Sequence, residues 1–440
     1  MSEERRLDHP GTVRPAHRCP FPDVHNRLED AHYLWHEAQC NYFSPPRFRT
    51  HLNALIQSLR TVTWLIQKNK AVIPEFDNWY SEWKERMKSD PVLRWLVEAR
   101  NRIEHQGDLE RHSVLRVSVV ASHAGEKHLD FVESPSRKTS DIIKRLNFSR
   151  IPQELMKEGF LKLERRWVAA NLPGYEILDA LAYTYGVLAD LVDDAHAQVG
   201  LPVPSLVVMQ PDGSYEPFRG SEAYLQGRLP CMVASQSDRE LWIPLKSGGR
   251  LELVTEAREL TARKMRRAKR RYGTAVLAPE GKTPESLEEW ARYYWGIARH
   301  MFERDGHHVH IAFLFHDGEL LQNRGMKAAS HGELFPIYRH LAEKVAHIGA
   351  TEVIVINEVW TAPYDPAHPY RRAELSPERG EGLLLCGVAA DGKQIRFFAP
   401  ITRKRRKAQL GETDESQRDI HPSLAPVLAV WRHPRPGDDT

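Results

Sequence analysis

Arg100, Asn101 and His105 place a guanidinium, an amide and an imidazole within one short stretch, Ser89–Leu109 (SDPVLRWLVEARNRIEHQGDL). These side-chain types suit one reaction in particular. RNA is cut without a metal when its 2′-hydroxyl attacks the adjacent phosphate, and that step needs a proton shuttle of near-neutral pKa, which histidine supplies. It also needs a fixed cation and donors on the phosphate oxygens as charge builds, which suits arginine, with asparagine to hold the hydroxyl or the phosphate. Asn101 and His105 stand one helical turn apart on a shared face, whereas Arg100 is displaced around the helix and must reach with its long side chain. The same Arg-x4-His spacing recurs at Arg27 and His32. The second copy is distinguished by the asparagine after the arginine and by the helix end that follows.

A helix must carry these groups, and its signals are clear. Asp90 is a good N-cap, Pro91 suits the first helical position, and Val92, Leu96, Ala99 and Ile103 repeat as a buried stripe. Gly107 and Asp108 end it. Upstream, apolar positions from Val24 to Trp35 predict a first helix, interrupted at Ser44–Pro46. Phe48, Leu52, Leu55, Ile56, Leu59, Val62 and Ile66 make the cleanest stripe, that of a second helix. Ile73-Pro74 opens a third, whose bulky side is Phe76, Trp79, Tyr80, Trp83 and Met87. Residues 21–110 therefore read as a four-helix bundle with short connections, and the tryptophans around it as an aromatic core.

With Arg100, Asn101 and His105 near the end of a bundle helix, the segment resembles the HEPN superfamily, whose hallmark is Arg, a polar residue, a short spacer and His in that place. The resemblance covers about a quarter of the chain. It implies a metal-independent endoribonuclease without cofactor, in a toxin–antitoxin or phage-defence setting, acting as a homodimer whose two motifs face one cleft. The tyrosine that one subgroup carries two positions after the histidine is Gly107 here, so regulation by modifying that residue is not implied.

Beyond the bundle the period changes. Residues 1–20 read as a flexible tail, and 111–200 as strands (Ser113–Ser122, Phe160–Ala169) followed by a long helix from about Tyr175 to Val199 that packs on the bundle. Residues 201–238, rich in Pro, Gly and Ser, read as a linker or long loop. Residues 239–408 read as an α+β domain with a mostly antiparallel sheet. It holds hairpins at Gly248-Gly249, Asp317-Gly318 and Asp391-Gly392, and a strand apolar on both faces at Glu352–Val359. Residues 409–440 read as a polar tail. The fold class expected is thus α+β and multidomain, an all-α N-terminal bundle followed by a connector and a C-terminal α+β domain.

Further groups invite chemistry. Arg258–Arg271 is a basic helix whose Leu260, Met265, Ala268 and Tyr272 are expected to face inward. Its Arg263, Arg266, Arg267 and Arg270, with Lys404, Arg405 and Arg406, are the candidate RNA contacts. His307, His308 and His310, with His316 and His331, share a strand region, but no third metal ligand is fixed by spacing. Asp190, Asp193, Asp194 and His196 read as a solvated acidic face rather than a metal site. Glu358, late in an apolar strand, needs a hydrogen-bond partner.

Composition bounds the rest. At 440 residues the chain exceeds one ordinary core, and a net charge of +3 leaves polyanion contact to local patches. Cys19, Cys40, Cys231 and Cys386 lie far apart without a CxxC pair, which suits reduced thiols better than disulfides or a zinc knuckle. No signal peptide and no membrane span are visible, so a cytoplasmic protein is expected. The leading functional expectation is an HEPN-type endoribonuclease acting on RNA, with an antitoxin or sensor as a further partner. Two alternatives stand beside it: a non-catalytic scaffold that dimerises and binds RNA, and a C-terminal small-molecule enzyme or sensor regulated by the bundle.

Overall fold

A computed structural model of the chain describes residues 20–105, 107, 109, 111–122, 125–133, 141, 144, 156, 159–201, 207–209, 215–217, 225, 227–233, 239–246, 261–273, 283–328, 331–368, 371–404, 407–417 and 421–432. The architecture is α+β, with a helical N-terminal region and antiparallel sheet in the C-terminal part. Two compact units divide it: Met1–Ser118, His128–Arg150 and Lys162–Leu241 form one, and Val119–Lys127, Ile151–Leu161 and Trp242–Thr440 the other.

The first unit is built on helices α1 (Pro22–Cys40), α2 (Pro45–Lys68), α3 (Phe76–Ser89), α4 (Pro91–His105) and α5 (Ile177–Gln198). Prolines open α1 and α2, where the missing N–H is no loss. The whole predicted stripe of α2 is buried, from Phe48 to Ile66. Helix α5 joins the same core and buries residues around most of its circumference. Its N-terminus is held by Glu176, whose carboxylate accepts from the Leu178 and Asp179 amides at 2.8 and 3.2 Å. The Tyr42 hydroxyl donates to Glu176 at 3.0 Å, and Arg239 lies 2.7 Å from Asp179 and 3.6 Å from Glu176. Burial pushes the Glu176 carboxyl above its ordinary pKa, against the opposing pull of Arg239.

Strands β1 (Arg111–Ser122), β2 (Gly125–Glu133), β3 (Phe160–Ala169), β4 (Val207–Met209), β5 (Tyr215–Pro217) and β6 (Glu240–Pro244) form a sheet of order β2-β1-β3-β6 and a separate β4-β5 pair. The Gly248-Gly249 turn expected after β6 lies outside the described residues.

The second unit contains α6 (Ala262–Tyr272), α7 (Leu287–Asp305), β7 (Ile311–His316), β8 (Glu319–Gly325), α8 (Leu334–Ile348), β9 (Glu352–Thr361), β10 (Gly380–Ala389), β11 (Gln394–Lys404), β12 (Lys407–Leu410), β13 (Asp414–Ser416) and α9 (Ala425–Arg432). The sheet runs β12-β11-β10-β9-β7-β8, with β13 beside β11, and these strands pair antiparallel. Alternation along β9 explains why its run Val353–Ile356 is apolar on both faces. Ile354 and Ile356 pack beneath Leu287, Trp290 and Trp295 of α7, while Val353 and Val355 meet Leu341 and Val345 of α8 and Val427 of α9. Helices therefore cover both sheet faces, although α9 falls in the stretch that reads as a polar tail. The β7–β8 turn has Asp317 and Gly318 at φ 47° and 79°, the left-handed pair that a two-residue hairpin loop needs. Among the described residues no helix is long and apolar enough to cross a membrane.

Asp90 does more than its sequence position suggests. One carboxylate oxygen accepts from the Val92 and Leu93 amides at 2.8 and 3.1 Å, capping α4, and the other accepts from the Tyr183 hydroxyl of α5 at 2.6 Å. Burial and this carboxylate push the Tyr183 hydroxyl up to about 12. Asp90→Ala is expected to destabilise the protein by about 2 kcal/mol, and Tyr183→Phe by about 1 kcal/mol. The double variant should be destabilised by less than the sum, because both changes remove the same hydroxyl–carboxylate bond. Urea unfolding of the four proteins checks this; strict additivity would refute the coupling.

Candidate nucleic-acid interface

The basic segment forms α6, an 11-residue helix with no buried residue. Thr261 caps its N-terminus by accepting from the Lys264 amide, and Gly273 ends it at φ +85°. Arg263, Arg266, Arg267 and Arg270 recur at i, i+3, i+4 and i+7 and make one exposed stripe. The inward face expected from Met265, Ala268 and Tyr272 is absent: Met265 is exposed and the other two are only half-buried, while Leu260 lies outside the described residues. The helix is held instead at its C-terminal end. The Tyr272 hydroxyl and the Arg271 guanidinium donate to Asp305, the last residue of α7, and hold that carboxyl below the usual range. Among the described residues, no carboxylate pairs with Arg263, Arg266, Arg267 or Arg270.

The second basic cluster is different. Arg403 donates to Glu381 at 2.5 Å, to Glu358 at 2.8 Å and to the Gly306 carbonyl at 2.9 Å, so it ties strands together. Lys404 is exposed, and Arg405 and Arg406 lie outside the described residues. Glu358 also accepts from the His308 amide at 2.5 Å, which supplies the partners its position demanded.

Arg100, Asn101 and His105 sit at the exposed end of α4, but not as an assembled site. Arg100 pairs with Glu104 at 2.7 Å, one turn on, and donates to Asn101 at 3.2 Å. The arginine is thereby paired on the helix surface, and His105 forms no hydrogen bond with Arg100 or Asn101. Farther up the same helix, Glu98 accepts from Asn171, which itself accepts from the Trp95 indole.

The histidines of the second unit are structural as placed. His310 Nε2 lies 3.0 Å from the Tyr338 hydroxyl, His308 Nδ1 2.7 Å from the Val309 carbonyl, and His316 Nδ1 2.6 Å from the Gly349 carbonyl. Two residues of the α5 cluster have partners of their own. Asp194 accepts from the Trp79 and Trp83 indoles, each at 2.7 Å, and His196 stacks on His25 with their Nε2 atoms 3.0 Å apart.

Sequence reasoning missed one group. His32 and His36, one turn apart on α1, meet Cys231 of the turn Pro230–Met232 in the first unit. The His32 Nε2 lies 3.1 Å from Cys231 Sγ and 3.2 Å from His36 Nε2. Glycine makes this approach workable: a Cβ on Gly186 of α5 would fall 1.6 Å from the Gly227 carbonyl oxygen, so only glycine lets the 227–233 backbone lie against α5. Arg228 then pairs with Asp179 at 3.2 Å, and Leu225 and Met232 are buried. Burial pushes the Cys231 thiol up to about 12. The His-x3-His spacing was the available signal; its partner, 195 residues from His36 in the chain, had none.

The family described as bacteriophage lambda protein ea47 matches residues 13–439. The chain belongs to the bacteriophage lambda Ea47 family. Protein ea47 of Escherichia phage lambda is 30% identical over 395 residues, covering 87% of this chain and 89% of that protein. No solved structure matches the chain. The Ea47 assignment spans nearly the whole sequence and no HEPN family is detected, so the HEPN resemblance at Arg100, Asn101 and His105 is corrected. The ribonuclease, toxin–antitoxin and phage-defence roles were implied by that resemblance alone and lose its support.

Two histidines of this Ea47-family chain make a pH signature. Burial, followed by His421 and His308, lowers His310 to about 4, and burial, followed by Lys344, lowers His347 to about 4. In the unfolded chain each titrates near about 6.5. Between these values the unfolded state binds more protons, so stability is complete above the upper one and is lost as pH falls towards the lower. The second unit should melt at lower temperature near pH 5 than near pH 7, and His310→Gln with His347→Gln should flatten that dependence. Ring proton NMR shifts of both residues should stay unchanged from about pH 7 to about pH 5.5; titration near 6.5 would refute the assignment.

Proposed function

We propose that this Ea47-family protein binds nucleic acid through the phosphate backbone, with α6 as the contact element. One observation carries the reading: a helix bearing Arg263, Lys264, Arg266, Arg267, Lys269, Arg270 and Arg271 buries no residue and leaves its arginine stripe without acidic partners among the described residues. A solvated face normally belongs to a helix whose other face is packed. This helix lacks a packed face, and its cations repel one another at i, i+3 and i+4. Cations in its first turn also oppose the helix dipole. A short isolated helix of this length is marginal in water, and a polyanion laid along it relieves the repulsion. From Arg263 to Arg270 the stripe spans about 10 Å, a length over which duplex DNA presents roughly six phosphate charges. Guanidinium groups suit phosphate because their donors form a planar fork. Such binding is indifferent to base sequence and sensitive to salt. RNA and DNA both offer this backbone, and a near-neutral overall charge restricts contact to the patch.

The fourfold variant Arg263→Glu, Arg266→Glu, Arg267→Glu, Arg270→Glu is expected to bind labelled duplex DNA or single-stranded RNA about a hundredfold more weakly near 0.1 M salt. The slope of log affinity against log salt should become shallower by up to about 3.6, about 0.9 for each phosphate that the variant no longer neutralises. Fluorescence anisotropy across a salt series measures both, with circular dichroism confirming the fold. Unchanged affinity and slope would overturn the reading.

A further inference from the structure

From the geometry of His32, His36 and Cys231 we infer a binding site for a divalent transition metal of the zinc class in the helical unit. The three donors come from two separate segments and converge. Both imidazoles present Nε2 and the cysteine presents Sγ, and the three atoms lie within 4.8 Å of one another. Around tetrahedral zinc, bonds of about 2.05 Å to nitrogen and about 2.3 Å to sulfur set the nitrogen–nitrogen edge near 3.3 Å and the nitrogen–sulfur edge near 3.6 Å. The observed separations, 3.2 Å between the imidazole nitrogens and 3.1 Å from His32 Nε2 to Cys231 Sγ, fall within about half an ångström of those edges. Little movement is needed to seat an ion.

Hydrogen bonding alone does not account for this convergence. His32 Nε2 offers either one N–H or one lone pair. It faces both the His36 nitrogen and the Cys231 sulfur at hydrogen-bond distance, so at most one of the two contacts is fully satisfied by a proton. A cation placed among the three takes one lone pair from each donor and satisfies all of them. The donor set is also chemically selective. Imidazole and thiolate together favour zinc and its neighbours over magnesium or calcium, which take oxygen ligands.

The surroundings suit such an ion. His32 is buried, and its ring packs against Tyr185 of α5 at 5.7 Å. The Tyr185 hydroxyl is raised in pKa by burial and then by the neighbouring Cys231, Asp193 and Glu29, which places two carboxylates in the same neighbourhood. Glu29 lies one turn before His32 on α1 and so shares its side of the helix. Three protein ligands are the complement of a zinc site that takes its fourth ligand from water or a nearby carboxylate. The ligands are pre-positioned by features already described, namely the helical spacing on α1 and the close approach at Gly186 that seats the 227–233 segment.

Cobalt(II) reports on this directly, because tetrahedral thiolate ligation gives intense visible bands and a thiolate charge-transfer band. The full-length protein, stripped with chelator and titrated with cobalt, is expected to bind one ion per chain with both signals, and zinc should displace it. Cys231→Ser should remove the charge-transfer band, and His36→Gln should weaken binding about tenfold or more. Both positions are only part-buried and both replacements are conservative, and circular dichroism establishes that each variant is folded. A thermal shift with zinc in the parent, absent in Cys231→Ser, provides a second measure. Failure of the parent to bind either metal at micromolar concentration, or a charge-transfer band that survives Cys231→Ser, would overturn the assignment. The DNA and RNA binding tests of α6 are unaffected by either result.

Discussion

Helix α5 sets the terms for the helical unit. It is buried on most sides, so every polar group it carries must find a partner on another element or stay desolvated at a cost of about 1–3 kcal/mol each. The structure meets that demand at several positions. Glu176 at its start is satisfied by Tyr42 and Arg239, Tyr183 by Asp90, Asp194 by two tryptophan indoles, and His196 by His25. These contacts come from α1 and the turn after it, from α3, from the cap of α4 and from the residue before β6. Polar satisfaction of one helix thus fixes the placement of the elements around it, while apolar burial supplies the bulk of the driving force.

Much of this was readable locally. The α2 stripe, the Asp90 cap, the Asp317-Gly318 turn and the two-faced β9 are all written in adjacent residues, because helix period, capping and turn chemistry act over a few positions. What adjacent residues do not carry is the identity of distant partners. Asp194 looked like part of a solvated acidic face because its indole donors lie 115 and 111 residues away. His32 and His36 are visible as a helical pair, but Cys231 reaches them only because Gly186 admits another backbone against α5. The opposite error occurred at α6, where apolar residues at helical spacing suggested a packed face. Met265, Ala268 and Tyr272 are too few and too small a surface to hold that helix down, and the bonds from Arg271 and Tyr272 to Asp305 do so instead.

The motif around Arg100 illustrates how a short pattern misleads. Its chemistry required a cation directed at a phosphate, yet Glu104 stands four residues on, the spacing at which helical side chains meet. The ion pair is as local as the motif and uses the same arginine. Two readings of one helix face therefore competed on the same period, and the pattern itself held no information on which prevailed. Family membership over nearly the full length weighs far more than three positions on one helix, since it draws on the whole core and both units.

Basic residues divide by the same test. Arg403 also sits in a basic cluster, but Glu358, Glu381 and the Gly306 carbonyl surround it, and its charge is consumed in holding β9, β10 and β11 in register. The α6 stripe has the opposite balance, with like charges set side by side on a surface that no apolar packing secures. Counting arginines cannot separate these cases, because desolvation and pairing decide what a charge does. A cation already matched by carboxylates gains little from a phosphate, since it must give up equivalent bonds to take new ones. An unmatched row gains on two counts, through new charge-assisted bonds and through relief of its own repulsion. That difference in balance is the physical reason to look for nucleic acid at α6 rather than at the β11 end.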